Sequence, residues 1–166
     1  LAYRKTQEQG ILKIVFPTVI SAYFITPFIH EFMLKYPYVK LHIKYQNHTI
    51  DLIRENIDIA VINHIPEQID QKYRRVFSSS INLYCSKKYA EQYDLPNHPS
   101  ELKNHQVISY VYDNSNVSSQ GEFIHKDTGK VEIVDISDNI AINNGMHGLV
   151  LLKSNHFITA LHDCML

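Results

Sequence analysis

Two threonines stand where a ligand could be held by hydrogen bonds. Thr18 follows a short apolar run, Gly10 to Phe16, which suits a strand buried on both faces and which Pro17 ends. Thr49 precedes a second segment that we expect to be helical. A hydroxyl at a helix start, beside the carboxyl end of a parallel strand, can bind a carboxylate or another polar group. The alternative is that Thr18 only caps the helix that follows it.

Other reactive side chains form no recognisable set. His42 with His48, and His156 with His162, do not have the spacing of metal-ligand motifs, so we expect no metal. No serine lies in a GxSxG turn, although serine, histidine and aspartate are all plentiful. No glycine-rich phosphate loop is present either. We therefore expect no cofactor and no enzymatic activity.

Length and charge narrow the class of protein. The 166 residues are enough for one ordinary domain or two small lobes. Lys and Arg number 16 against 17 Asp and Glu, so the basic excess that drives nucleic-acid binding is missing. No apolar run could cross a bilayer, and the polar start does not resemble an export signal. Cys85 and Cys164 lie far apart and in no CxxC pair, which favours two reduced thiols in the cytoplasm.

The first part of the chain alternates strands with helices. Apolar residues at helical spacing predict a helix over 19–36, kinked or restarted at Pro27, with Ser21 and Thr26 as competing caps. We then expect a half-buried strand over 39–45, a short helix over 50–55 closed by a left-handed Asn56, and a buried strand over 57–62. This order predicts a parallel α/β sheet with right-handed crossovers.

The second part has a different character. Four of the five glycines lie after residue 120, whereas all six prolines lie before residue 100. This shift supports two lobes with a boundary near residues 63–76. In the second part we expect strands over 76–80, 81–85, 107–111, 140–142 and 157–161, a hairpin between 123–125 and 131–134, a helix over 87–93 capped by Ser86, a helical turn over 100–102, and a helix over 146–153 opened by 143–145.

Several segments, taken in order, carry a family resemblance. They are Gly10-Ile11-Leu12-Lys13-Ile14 with Pro17-Thr18, Phe28-Ile29-His30-Glu31-Phe32 with Tyr36-Pro37, Asp51 to Val61, Leu83 to Tyr89, Leu95 to His105, and Ile142-Asn143-Asn144-Gly145. Together they resemble the effector-binding domain of bacterial LysR-type transcriptional regulators, from about Gly10 to Asp163. Asn56 stands where that family usually has glycine, and Asn155, Phe157 and His162 replace two glycines and a proline.

The resemblance implies an α/β fold with two lobes, of the periplasmic-binding-protein-like type II. Each lobe would be a small, mostly parallel sheet flanked by helices. Residues 1–9 would end a linker, 10–75 would form lobe I and 76–166 would form lobe II. The DNA-binding helix-turn-helix and the segment that returns to lobe I would be absent from this chain.

The resemblance also implies a binding cleft between the lobes. Thr18 and Thr49 match positions that commonly touch the effector, and Ser21 is a weaker member. Asn63 follows the strand over 57–62, and the second lobe could close over the ligand with Tyr110, Tyr112, Asn143 and Asn144. The effector would be a small molecule, such as a carboxylate or another polar metabolite.

The function implied is that of a cytoplasmic sensor. Effector in the cleft would alter DNA binding by the attached helix-turn-helix, in a homodimer or tetramer with no membrane contact. Peroxide-sensing members of the family place their cysteines close in sequence, so Cys85 and Cys164 are not expected to form a redox switch. Two alternatives remain open, a transport-type solute-binding protein of the same architecture and an enzyme built on this frame.

Overall fold

The computed structural model describes residues 8–48, 50–62, 72–111, 116–136 and 139–166. The chain divides into two units, Leu1–Phe77 and Ser78–Leu166. Both combine helices with small β-sheets, so the predicted α/β class is confirmed. The assignment of residues 10–75 and 76–166 to lobes I and II stays a prediction. In the part of the chain that is described, no helix is long and apolar enough to cross a bilayer.

Three parallel strands form the sheet of the first unit. The central strand β1 (Gly10–Phe16) pairs with β2 (Val39–Tyr45) on one side and with β3 (Ile59–Ala60) on the other. Burial increases along β1 towards its carboxyl end, where Val15 is only 2% exposed. The core of this unit therefore lies beneath the end of the sheet at which β1 stops.

The helical segment after β1 is broken at the predicted place. It consists of α1 (Thr18–Phe24), a 3-10 turn (Thr26–Phe28) and α2 (Ile29–Lys35). The break at Pro27 is confirmed, because proline cannot donate to the helical ladder. Neither predicted cap is used: α1 begins before Ser21, and no side chain caps the 3-10 turn. The Thr26 hydroxyl instead lies 3.1 Å from the Tyr45 hydroxyl.

The segment between β2 and β3 is a turn rather than the predicted helix over 50–55. Asp51 initiates it, because its Oδ1 accepts hydrogen bonds from the backbone N–H groups of Ile53 (3.1 Å) and Arg54 (3.0 Å). Asn56 has a φ of 53°, so the predicted left-handed residue is confirmed. The strand predicted over 57–62 is shorter than expected, because only Ile59–Ala60 pairs with β1.

The second unit contains most of the elements that the sequence predicts. They are β4 (Ile81–Tyr84), α3 (Lys87–Gln92), a 3-10 segment (Pro99–Asn104), β5 (Val107–Tyr110), β6 (Gln120–Ile124), β7 (Val131–Asp135), β8 (Ala141–Ile142), α4 (Gly145–Leu152), β9 (Ile158–His162) and a 3-10 turn (Asp163–Met165). The predicted cap of α3 is confirmed, because Ser86 Oγ accepts from the Tyr89 N–H at 3.0 Å. The strand predicted over 76–80 is wrong, because those residues form no regular element.

The sheet of the second unit has the strand order β4-β9-β5-β8. Strand β5 is parallel to both β8 and β9, whereas β4 is antiparallel to β9. Strands β6 and β7 form the predicted hairpin, which is a separate two-stranded sheet. The buried cluster of this unit contains Tyr89, Leu102, Val107 and Ile158.

Candidate functional site

The carboxyl ends of β1 and β2 meet at one edge of the first sheet. Phe16 pairs with Tyr45 in the parallel register, and the backbone N–H of Gln46 donates to the Phe16 carbonyl at 2.9 Å. The chain leaves β1 through Pro17 and leaves β2 through Gln46 and Asn47. Polar groups that follow the two strands therefore lie side by side, where open parallel sheets bind ligands.

Thr18 is the first residue of α1 at this edge. Its backbone N–H donates to Asn47 Oδ1 at 2.9 Å, so a side chain from the end of β2 satisfies the first donor of the helix. Its hydroxyl makes no hydrogen bond to another described residue. Thr18 is therefore capped by Asn47 and does not itself cap α1, and the residue is partly exposed, so we treat its hydroxyl as a candidate ligand contact.

Ser21 occupies a different environment from the one predicted. Its side chain has no exposed surface. Its hydroxyl donates to the Pro17 carbonyl and lies 3.1 Å from the Thr18 carbonyl oxygen, one turn back along α1. Because its proton is used inside the helix, Ser21 belongs to the core and not to the polar edge.

Gln46 is the residue at this edge that sequence reasoning missed. Its side chain is only 8% exposed, yet among the described residues neither Oε1 nor Nε2 has a hydrogen-bond partner. A buried polar group left unpaired costs about 1–3 kcal/mol, and native proteins contain few of them. The one signal in the sequence is a glutamine placed directly after a half-buried strand. An unpaired buried amide on the residue that directly follows β2 favours this edge as a place for a polar ligand.

The surface of the same unit also has a depression, which lies away from this edge. It has a volume of about 370 Å³ and is lined by Lys13, His42, Lys44 and three isoleucines. One of its two lysines is paired, because Lys44 Nζ lies 2.8 Å from Glu55 Oε2. The backbone N–H of Lys13, as distinct from its ammonium group, donates to Asp58 Oδ2 at 2.8 Å. Unlike the edge with Gln46, this depression is lined by no described residue with an unpaired buried side-chain atom.

In the second unit the structure brings two of the predicted residues together. The Tyr110 hydroxyl donates to the Asn143 carbonyl at 2.8 Å, where the parallel strands β5 and β8 end. Asn144 caps α4, because its Oδ1 accepts from the Met146 N–H at 3.0 Å. Tyr110 is 39% exposed, so its ring remains accessible at this edge. Three further predicted residues, Thr49, Asn63 and Tyr112, lie outside the described residues.

Among the described residues of the second unit, a serine, a histidine and an aspartate lie close together at the end of β9. Ser79 Oγ donates to Asp163 Oδ1 at 2.7 Å, and His162 Nδ1 lies 3.3 Å from Ser79 Oγ. In a hydrolytic triad the serine proton faces the histidine, and the histidine faces the aspartate. Here the serine proton faces the aspartate, and the Asp163 N–H also donates to the Ser80 carbonyl at 3.0 Å. The arrangement fastens residues 79–80 to the end of β9.

The ionisation of this cluster follows its contacts. The hydrogen bond from Ser79 holds the pKa of Asp163 below its usual value, and backbone hydrogen bonds act in the same direction. Burial lowers the pKa of His162, although the nearby Asp163 opposes the shift. Cys85 and Cys164 are both free thiols, and burial raises the pKa of Cys85. Among the described residues, no group of three or more His, Cys, Asp or Glu side chains could hold a metal ion.

Comparisons with known proteins agree with this architecture. An HTH-type transcriptional regulator of Haemophilus influenzae is 24% identical over 146 residues, which cover 88% of this chain and 49% of that protein. The activator TtdR of Escherichia coli K12 is 26% identical over 106 residues, 63% of this chain and 34% of that protein. The chain thus spans about half the length, or less, of these two relatives.

Solved structures show the same fold. The regulatory domain of AphB from Vibrio vulnificus superimposes with a TM-score of 0.80 at 17% identity, covering 95% of this chain and 77% of that one. CrgA, a LysR-type transcriptional regulator from Neisseria meningitidis, gives a TM-score of 0.77 at 22% identity, covering 94% and 51%. A family model described as the LysR substrate binding domain matches residues 5–165. The chain belongs to the LysR substrate-binding domain family.

Proposed function

We propose that this chain is the effector-sensing domain of a LysR-type transcriptional regulator. The observation that carries the proposal is the polar edge of the first sheet, where the Thr18 hydroxyl and the buried Gln46 amide lack partners among the described residues. Membership of the substrate-binding domain family supports a ligand-binding role for this edge. The effector is a small polar molecule, and the domain is not an enzyme.

The wider role of the protein follows from its relatives, which are named as transcriptional regulators. These names favour a regulator over a transport-type solute-binding protein. Effector binding would change the relative stability of two states of the domain and so change how an attached helix-turn-helix meets DNA. Such a shift requires the effector to bind one state more tightly than the other. We place the regulator in the cytoplasm as a homodimer or tetramer.

The second unit would contribute to the same function. Tyr110 and Asn143 are joined at the carboxyl ends of β5 and β8, so they form a polar edge that corresponds to the one in the first unit. We propose Thr18 and Gln46 in the first unit, and Tyr110 and Asn143 in the second, as residues that contact the effector, together with Thr49, Asn63 and Tyr112. Asn144 supports the edge in the second unit by capping α4.

The test is a thermal-shift screen of the full chain against small polar metabolites and carboxylates. A ligand that binds only the folded state raises the unfolding midpoint by mass action. We expect a hit whose effect is reduced in Thr18→Ala and in Thr49→Ala. Thr128→Ala is the matched control, because Thr128 lies in the exposed turn of the β6–β7 hairpin. A hit that keeps its full effect in both edge variants would contradict the site.

A further inference from the structure

The unpaired amide of Gln46 carries information about the chemistry of the ligand. A primary amide offers two N–H donors on Nε2 and one acceptor on Oε1. Both atoms are buried, and neither has a partner among the described residues. A ligand group that satisfies this side chain must therefore present an acceptor and a donor next to each other. An ionised carboxylate has acceptors only, so it would leave Oε1 unpaired.

The charges at this edge point in the same direction. Residues 16–18 and 45–48 include no lysine, arginine, aspartate or glutamate. The neighbouring Lys44 is paired with Glu55 at 2.8 Å. A carboxylate buried here would lose its hydration without gaining a lysine or arginine side chain from these residues, which is unfavourable.

The start of α1 does not replace that missing cation. The Thr18 N–H, which would be the first backbone donor available to an anion, is already bonded to Asn47 Oδ1 at 2.9 Å. The Thr18 hydroxyl, another polar group at the edge, both donates and accepts and so matches a neutral ligand. All of these groups favour an uncharged partner.

We infer that the effector presents a neutral carboxamide-type group, such as an amide or a lactam, to Gln46. The ligand carbonyl accepts from Gln46 Nε2, and the ligand N–H donates to Gln46 Oε1. The inference rests on the proposed function of this edge and specifies the chemistry that the edge recognises. The sequence predicted either a carboxylate or another polar metabolite as the effector. The inference excludes the carboxylate and specifies an uncharged polar molecule.

Matched pairs of small probes test the inference on the full chain. Nicotinamide and benzamide carry the carboxamide, and nicotinate and benzoate carry a carboxylate on the same rings. We would follow the side-chain NH2 signals of the glutamines by NMR in the ¹⁵N-labelled protein and titrate each probe. Fragments of this size bind proteins with dissociation constants on the order of 1 mM. We expect the carboxamides to shift the Gln46 signal and to bind about tenfold more tightly than their matched acids.

Variants connect the binding to the side chain. Gln46→Met keeps the length of the side chain and removes both polar atoms, so we expect it to weaken carboxamide binding about tenfold. Gln92→Met is the matched control, because Gln92 is exposed on α3 in the other unit. The NMR titration of the wild-type protein, followed through the Gln46 side-chain signal, tests the inference even if Gln46→Met does not fold.

Two results would overturn the inference. Carboxylates that bind as tightly as the carboxamides, with an effect that depends on Thr18, would refute the ligand class and leave the proposed site intact. A Gln46 signal that no probe shifts at tens of millimolar, on the order of tenfold above the expected dissociation constant, would refute the role of Gln46. The first result leaves the proposed function of the edge intact, whereas the second does not. Failure of the ligand class can therefore be distinguished from failure of the site.

Discussion

Replacing Gln46 with methionine should stabilise the protein. Methionine has the same unbranched shape but no groups that need hydrogen bonds, so the buried Oε1 and Nε2 atoms no longer lack partners. Each unpaired group costs about 1–3 kcal/mol, and a volume-conserving exchange in a packed site costs less than about 1.5 kcal/mol. For the two groups together, the difference predicts a gain of at least about 0.5 kcal/mol in the free energy of unfolding.

This gain is large enough to measure. For a unit of the size of Leu1–Phe77, about 1 kcal/mol shifts the midpoint of thermal unfolding by about 4–8 °C. Urea unfolding and differential scanning calorimetry of Gln46→Met and wild type would give the difference, with Gln92→Met as the control that should change little. A loss of more than about 1 kcal/mol in Gln46→Met would refute the reasoning. It would mean that the amide is paired in solution and stabilises the fold.

Three further predictions concern caps and protonation. Asn47→Ala should cost about 1 kcal/mol of stability, because the Thr18 N–H loses its acceptor, and Asn47→Asp should retain most of it. Urea unfolding distinguishes the two variants. Ser86→Ala should cost about 1 kcal/mol of stability and reduce the helical signal in circular dichroism. Ser86→Asp should keep an acceptor for the Tyr89 N–H and so retain most of that stability. An equal loss of stability in both variants would contradict the cap. Burial lowers the pKa of His162, so the folded state binds this proton less readily than the unfolded chain, and stability should fall as the pH drops below about 6.5. His162→Gln should make the stability curve flatter between about pH 7 and pH 5, and an unchanged slope would exclude this histidine as the cause.

Local patterns in the sequence were sufficient for most of the elements. The alternation in β2, the break at Pro27 and the left-handed Asn56 depend on residues close in the chain, and the structure confirms all three. The cap of α3 by Ser86 is equally local, since it joins residues one helical turn apart. Predictions of this kind succeed because the conformational preference of each residue and the hydrogen bonds it makes both involve the same few neighbouring positions in the chain.

The failures involve partners that are distant in the sequence. Residues 76–80 have strand-like composition, but a strand forms only where a neighbour pairs with it. Strand β3 is reduced to Ile59–Ala60 because β1 pairs with it only at Ile14 and Val15. The cap of α1 comes from Asn47, which lies 29 positions away from Thr18. None of these contacts can be predicted from the residues that are close to it in the sequence.

The candidate site was predicted only in part for the same reason. Thr18 could be found from its position after β1, and the structure places it at the expected edge of the sheet. Ser21 was misplaced because α1 starts earlier than the pattern suggested, which turns its hydroxyl towards the helix backbone. Gln46 was missed because its burial and its lack of partners become visible only in the folded chain.

The charges on β2 have a consequence for how this protein behaves at high concentration. In the part of the chain that the structure describes, the strand order β2-β1-β3 makes β2 an outer strand of its sheet. Lys40, His42 and Lys44 are exposed along it. If two copies approached with these outer strands side by side, Lys40 and Lys44 of the two copies would oppose one another, and lysines are a common natural protection against such pairing. Removing the charge of Lys40 and Lys44, for example by acetylation, should make the protein more prone to aggregate into β-rich fibres.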